Sequence, residues 1–253
     1  MNIPIVFVVG GQSYCEDAVV SAESYKRNNP DIQCIIATDH RGDVSSVFDY
    51  KIQLGSRRYP DMWYLDSCRY YNETFDIMKD DYDALCFVDS DTYCDAPLDD
   101  MFRLMERFDI ALSHAVNRHT TGKVCNIPDA FPEHEIGVML VQTNEHIRNL
   151  FSDWLELYET HPEVYENNDQ GPLRDALWLN KLINMYVLPE EFHARWGFGV
   201  TVVSRVRILH SRSTGDAPTN AQVAKEINSV GGRRLYRPGG FFWGSVVGDW
   251  KYE

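Results

Sequence analysis

Two apolar runs limit what this chain can become. Ile3 to Val9 stops at Gly10-Gly11, and Ala84-Leu85-Cys86-Phe87-Val88 stops at Asp89-Ser90-Asp91. A half-exposed strand alternates apolar and polar residues, whereas a run without alternation belongs to a strand covered on both faces, as in a parallel sheet between layers of helices. The neighbouring segments agree. Ser13 to Asn28 reads as a helix stopped by Asn29-Pro30, and Ile32 to Ala37 as a second strand ending at Thr38-Asp39. Together they make a strand, helix, strand unit with a right-handed crossover.

Further along, Asp61 to Lys79 is predicted helical, Pro97 to Arg107 a short helix, and Asp109 to Ala115 and Ile136 to Val141 strands. Ile147, Leu150, Phe151, Trp154, Leu155 and Tyr158 recur at helical spacing, so the helix after Thr143 is amphipathic and its aromatic stripe is core. Asn167 to Pro172 is a loop entering a helix whose buried face carries Leu173, Ala176 and Leu177. Met185 to Leu188, Gly199 to Val203 and Val206 to Leu209 are short strands, and Thr219 to Val230 a last helix. Gly231 to Glu253 mixes Gly, Arg and aromatics without period and suits a flap. There is no repeat and no linker, and 253 residues fit an α/β protein of one domain.

A net charge of -14 argues against generic binding to nucleic acid or an anionic membrane, which needs a positive field. Met1 to Gly11 is apolar for only about seven residues and lacks a basic start, so neither a membrane span nor a signal peptide is expected. Cys15, Cys34, Cys68, Cys86, Cys94 and Cys125 form no C-x-x-C pair and read as reduced packing thiols. The expected localisation is cytoplasmic.

A parallel sheet meets its ligand at the carboxyl ends of its strands. The residues there are Gly10, Gly11 and Tyr14, then Thr38 and Asp39, then Asp89 and Asp91, then His210 and Arg212. Two carboxylates one residue apart on a turn can reach one divalent ion, and an imidazole completes a set that leaves positions for phosphate oxygens and water. The competing reading makes the aspartates a turn and helix cap and His210 a structural histidine. The metal reading is preferred because carboxylates ending a buried strand are costly unless neutralised. Mixed oxygen and imidazole ligands favour Mn²⁺ over Mg²⁺. Arg195, Arg205, Arg207, Arg212, Lys225, Arg233, Arg234 and Arg237 crowd the last third as a local anion-binding surface. Arg212, beside His210, is the candidate for a diphosphate; Arg205, Arg207 and Lys225 read individually as ordinary surface. Arg69, on the helix before the third strand, either holds Asp89 or a ligand hydroxyl or is a plain surface arginine.

Five motifs then fall in one order: Val8-Val9-Gly10-Gly11-Gln12-Ser13-Tyr14; Ala84 to Asp91 with Pro97-Leu98; Glu135-Ile136-Gly137-Val138-Met139-Leu140; Asn168-Asp169-Gln170; and Leu188-Pro189 with Trp196 ahead of His210. In these, residues 3 to 215 resemble the nucleotide-sugar glycosyltransferases of the GT-A fold, especially glycosyltransferase family eight, that of glycogenin and bacterial galactosyltransferases. The resemblance implies a Rossmann-like, mostly parallel sheet in one domain, 1–95 being a nucleotide-binding half and 96–253 an acceptor-binding half with a carboxy-terminal flap. It implies transfer of a sugar from a nucleoside diphosphate, usually UDP, to an acceptor hydroxyl of a glycan, with Tyr14 stacking on the base. Val8, Gly10, Gly11, Tyr14, Asp39, Arg69, Ser90 and Arg212 would contact the donor, and Asp89, Asp91 and His210 would hold the ion. Glu135, Gly137 and Asp169 would line the sugar and acceptor pocket, with Asp169 and Gln170 near the anomeric carbon. Asp169 would be a general base if the centre inverts or a partner of oxocarbenium charge if it is retained, unless it merely caps the helix before Pro172.

The chain departs from that pattern in two places. His210 is followed by Gly215 at a longer spacing than the family's H-x-x-G-x-x-K-P-W, with no Lys-Pro-Trp, so Arg212, helped by Arg233, Arg234 or Arg237, is left to meet the phosphates. Glu135 stands where the family has Asn. Two other classes compete. A haloacid-dehalogenase-type phosphatase also ends a strand in D-x-D, but wants a small hydroxyl where Tyr93 stands. A non-catalytic carbohydrate-binding module would use Phe241, Phe242 and Trp243, which serve equally as a homodimer contact.

Overall fold

A computed structural model describes residues 1–116, 120–212 and 217–236. Strand β1 (Ile5–Val9), helix α1 (Gln12–Asn28) and strand β2 (Cys34–Thr38) form the expected crossover, with β1 and β2 parallel. A strand the sequence reading lacks, β3 (Tyr50–Gln53), extends the sheet beyond β2. Its residues are half exposed and carry no apolar run, which is why no pattern marked it. Helix α2 (Trp63–Met78) then leads to β4 (Ala84–Val88), parallel to β1.

Both faces of these strands are covered. In β4, Leu85 and Phe87 point into one apolar cluster with α2, while Ala84, Cys86 and Val88 point into the other with α1. The unbroken apolar spelling of β4 follows from this two-sided burial.

After β4 come β5 (Thr92–Cys94), helix α3 (Asp99–Phe102) running into a 3-10 turn at Arg103–Glu106, β6 (Ile110–His114) and β7 (His134–Gln142). The seven-stranded sheet has the order β3-β2-β1-β4-β7-β6-β8, closed by β8 (Met185–Val187). Only β7 runs against the others, antiparallel to both β4 and β6. A parallel neighbour needs a crossover of a dozen residues or more, usually helical; no helix is described between β6 and β7.

Helix α4 (Glu145–Thr160) buries the Ile147, Leu150, Phe151, Trp154 and Tyr158 stripe against α2 and the sheet. Phe151 meets Phe75, Phe87 and Trp154 at ring distances of 5.0, 5.9 and 5.8 Å. Truncating such a ring to alanine costs about 3–5 kcal/mol. Helix α5 (Pro162–Tyr165) and helix α6 (Gln170–Leu179) follow, with Leu173, Ala176 and Leu177 inward.

Two small ladders complete the fold. β10 (Ile208–His210) pairs antiparallel with β5, and β11 (Arg234–Tyr236) with β9 (Val200–Val202). Helix α7 (Asn220–Ile227) starts at a capping box in which Thr219 and Gln222 exchange hydrogen bonds. All six cysteines are free, and burial pushes the Cys34 and Cys94 thiols up to about 12. Among the described residues, no helix is long and apolar enough to cross a membrane.

Candidate active site

The strand ends converge on one cleft of about 340 Å³, within the usual range for a ligand pocket. The decisive local element is the β5–β10 ladder. Asp89 and Asp91 leave β4 on a tight turn, closed by Thr92 donating its N–H (3.2 Å) and Oγ1 (2.8 Å) to the Asp89 carbonyl. The ladder then sets His210 opposite Thr92. Its Nε2 consequently lies 3.3 Å from Asp89 Oδ2 and 3.2 Å from Asp91 Oδ1. One ligand atom from each of the three residues falls within 4.8 Å of the others.

A bulge makes room for this imidazole. Between β6 and β7 the register jumps from Leu112 opposite Met139 to Ser113 opposite Glu135, so Ile136 to Val138 loop past β6. Within that loop the Gly137 carbonyl accepts the Asp89 N–H at 3.0 Å. A Cβ on Gly137 would fall 2.3 Å from His210 Cε1, so only glycine lets the ring approach. On its other side His210 lies edge to edge with His193, ring planes 15° apart and centroids 5.0 Å apart. His210 Nδ1 is 2.7 Å from His193 Nε2, and His193 Nδ1 is 2.5 Å from Ser113 Oγ.

The charge in the cleft is unbalanced. Burial raises the Asp89 carboxyl although His210 opposes it, and His210 outweighs burial at Asp91 and holds that carboxyl below its ordinary range. Asp169 is buried, and desolvation with the Asp89 charge holds it well above the ordinary carboxyl range. Its side chain makes no capping bond to α6, which removes the helix-cap reading. Gln170 Nε2 reaches Glu135 Oε2 at 3.2 Å, and Arg195 pairs with the same oxygen at 2.8 Å. A divalent cation fits Asp89, Asp91 and His210: three donors of suitable chemistry converge where negative charge exceeds positive.

At the other end Tyr14 and Trp63 face each other with ring planes 12° apart and centroids at 6.3 Å. Arg212 lies over Tyr14 at 4.6 Å while its guanidinium bonds Asp17 at 2.5 Å. Gly10 is beneath Trp63, where an added Cβ would come within 2.3 Å of the indole.

No family model and no curated protein matches this sequence. Among solved structures, the chain is similar to that of the galactosyltransferase LgtC, solved in complex with donor and acceptor sugar analogues. The likeness has a TM-score of 0.57 at 16% identity and covers 87% of this chain and 91% of that one. The fold is GT-A.

Within the GT-A cleft, Val8, Tyr14, Ser90, Arg212, Glu135, Asp169 and Gln170 line the wall together with Asp89, Asp91 and His210. Five expected residues, Gly10, Gly11, Asp39, Arg69 and Gly137, are not part of that lining. Arg69 does not hold Asp89: its guanidinium is tied to Asp66 at 3.1 Å, Glu73 at 3.3 Å and the Ser56 carbonyl at 3.0 Å, anchoring the loop before α2. Asp39 accepts the Gly11 N–H at 2.7 Å and the Tyr70 hydroxyl at 3.1 Å, so Asp39 and Gly11 brace the first turn. Gly137 backs His210 and is not part of the cleft lining.

The expected basic surface is largely neutralised, because Arg205 pairs with Asp95 and Arg207 with Asp100, leaving Arg195 and Arg212 at the cleft. Arg233 is exposed and away from the lining, and the backbone of Arg234 pairs with Val202. Gly215, Arg237, Phe241, Phe242 and Trp243 lie outside the described residues. Sequence reasoning missed Trp63, Tyr64, Ser67 and Tyr71, all on α2, and the pair His193 and Ser113. The α2 residues had a usable signal: an aromatic pair opening a helix with no capping side chain, at the sheet edge where ligands gather.

Proposed function

We propose that this protein is a cation-dependent glycosyltransferase that moves a sugar from a nucleoside diphosphate, in particular UDP, to an acceptor hydroxyl of a glycan, in the manner of glycosyltransferase family eight. The observation that carries the reading is the convergence of Asp89, Asp91 and His210 at the carboxyl edge of a GT-A sheet, beside Tyr14 and Arg212.

In this reading the base stacks on Tyr14 and the diphosphate runs towards Arg212, whose fork of donors suits phosphate oxygens. Asp89, Asp91 and His210 would hold Mn²⁺ or Mg²⁺, which would supply positive charge against the departing diphosphate. Gln170 and the Glu135–Arg195 pair present donors and acceptors to sugar hydroxyls. During transfer the bond from the anomeric carbon to the diphosphate breaks and one to the acceptor oxygen forms. The acceptor's proton leaves to a base. Asp169, whose carboxyl burial and the Asp89 charge hold well above its ordinary range, is suited to take it if configuration inverts, or to face the cationic sugar if it is retained. Nothing in the cleft favours a phosphatase: Tyr93 is in β5, and a histidine, not an acidic pair, joins the D-x-D.

The test is thermal stabilisation by a panel of nucleoside diphosphates and their sugars, with Mn²⁺ or with EDTA, on wild type and Asp91→Ala. A ligand at a hundred times its Kd adds about 2.7 kcal/mol, and raises Tm by roughly 5–10 °C in a chain of this size. One nucleotide series should stabilise wild type with Mn²⁺ alone. If no nucleotide shifts the melt under any condition, the reading fails.

A further inference from the structure

We propose that His193 is a positioning residue which, backed by Ser113, sets the ring angle of His210 and can accept its Nδ1 proton, so that a bare Nε2 is free to face a cation at Asp89 and Asp91. The proposal rests on reading those three residues as a divalent cation site.

An imidazole that binds a cation must present a nitrogen without a proton, so its proton sits on the other nitrogen and needs an acceptor. That acceptor is ordinarily a carboxylate, a backbone carbonyl or water. Here it is another imidazole: His193 Nε2 lies 2.7 Å from His210 Nδ1. The same requirement passes to His193, whose Nδ1 lies 2.5 Å from Ser113 Oγ. A hydroxyl both donates and accepts, so Ser113 ends the chain in either direction.

Two proton placements satisfy every link, and each leaves both imidazoles neutral. In one, Ser113 donates to His193, His193 to His210, and His210 Nε2–H points at Asp91, 3.2 Å away. In the other, every bond reverses and His210 turns an open lone pair towards the carboxylates. The second placement is the one a cation selects.

The surroundings fix the ring as well as the proton. His210 is held between the edge of His193 and the bare Cα of Gly137, and both histidines are 3% exposed. The β6–β7 register jump comes at Leu112/Ser113 and turns Ser113 to His193. The isolated bridge between Ala194 and Leu209, with His210 N–H donating to the Ala194 carbonyl at 2.9 Å, locks the backbone of the two histidines in register.

The probe is Mn²⁺ alone on the full chain, with free ion followed by its paramagnetic resonance signal. His193→Phe keeps an aromatic ring at that position and removes both nitrogens; its Mn²⁺ affinity should fall about 10–100-fold. His193→Gln restores an acceptor and should recover most of the loss, with Ser113→Ala between the two. In Mg²⁺-loaded wild type, imidazole ¹⁵N shifts should report His210 protonated at Nδ1. His193→Phe binding Mn²⁺ as tightly as wild type would overturn the proposal; should that variant fail to fold, a Mg²⁺-loaded wild-type His210 protonated at Nε2 overturns it alone. Wild type that binds no more Mn²⁺ than Asp91→Ala overturns the cation reading itself, and this one with it.

Discussion

Two ionic clusters share the same elements and behave as opposites. Glu133 and Glu135 are two residues apart at the start of β7, and Arg174 and Asp175 sit about a turn beyond Asp169 and Gln170 on α6. Around Glu133, Arg174 and Asp175 everything is closed. All three are fully buried, Arg174 bonds both acids at 3.2 and 2.7 Å, and Glu133 takes the backbone and hydroxyl donors of Thr120 and Thr121. Asp175 also accepts the Val124 N–H and the Tyr165 hydroxyl, both at 2.9 Å. Around Asp89, Asp91 and Asp169 the charges outnumber their partners and face a cleft. A satisfied network ties a loop to a helix, whereas an unsatisfied one states a demand for a ligand.

The largest expected break is on the closed side. Arg174→Met leaves two buried carboxylates without their cation, which costs about 3–5 kcal/mol, or roughly 6–20 °C of Tm. A calorimetric melt that hardly moves would show that the closed cluster is not the structural one.

On the open side, neutralising a charge should harm activity and spare the fold. Asp169→Asn should lose about 10²–10⁴ in turnover if the carboxylate takes the acceptor's proton. Its stability should change with the opposite sign to Arg174→Met. Because burial and Asp89 raise the folded carboxyl above its unfolded value, the folded state carries the extra proton, and wild type loses stability as pH climbs from about 4 through the raised value. The Asn variant lacks that slope. Parallel stability curves for the two proteins between pH 4 and 8 would contradict the assignment.

A third prediction tests how tightly the open cluster is built. Gly137→Ala drives a methyl into His210, with overlap at Cε1 and at Nδ1, 2.5 Å from the new carbon. Overpacking of that kind costs about 1–3 kcal/mol, and displacement of the ring should weaken Mn²⁺ binding at the same time. Retained Mn²⁺ affinity by titration would mean that the ring has freedom the close approach denies it.

The contrast also explains what the sequence could and could not disclose. β1, β2 and β4 were legible because two-sided burial writes itself as unbroken apolar runs, and α4 because five buried side chains repeat at helical spacing. Asp89, Asp91 and His210 were legible as types at strand ends. The ladder that joins them was not: β5 is three residues long and half polar, too short for any period to register. His193 and Ser113 were invisible for a related reason, since they come together through a register jump and an isolated bridge, neither of which has a local spelling. Arg69 failed differently. Its place on α2 was foreseen, but its partners Asp66 and Glu73, a turn away on the same helix, outcompete a site farther off.

The smallest effect on the fold should come from Arg212, and it sharpens the comparison most. Its pair with Asp17 is about half exposed on both sides, and such surface pairs contribute about 0–1 kcal/mol. Arg212→Ala should therefore leave the melt of the free protein almost unchanged. If Arg212 meets the diphosphate, the same change removes a hydrogen bond to a charged group, worth about 1.5–3 kcal/mol, and weakens nucleotide binding roughly 10–150-fold. Asp17→Ala should act in the opposite direction, because it frees the guanidinium from a carboxylate that competes with phosphate. Calorimetric titration of UDP with Mn²⁺ on both variants separates the cases. Weaker binding in Arg212→Ala with equal or tighter binding in Asp17→Ala places Arg212 with the open cluster, held in reserve on the surface for a ligand. Equal affinity in both would return it to the ordinary surface pairs, alongside Arg205 with Asp95 and Arg207 with Asp100.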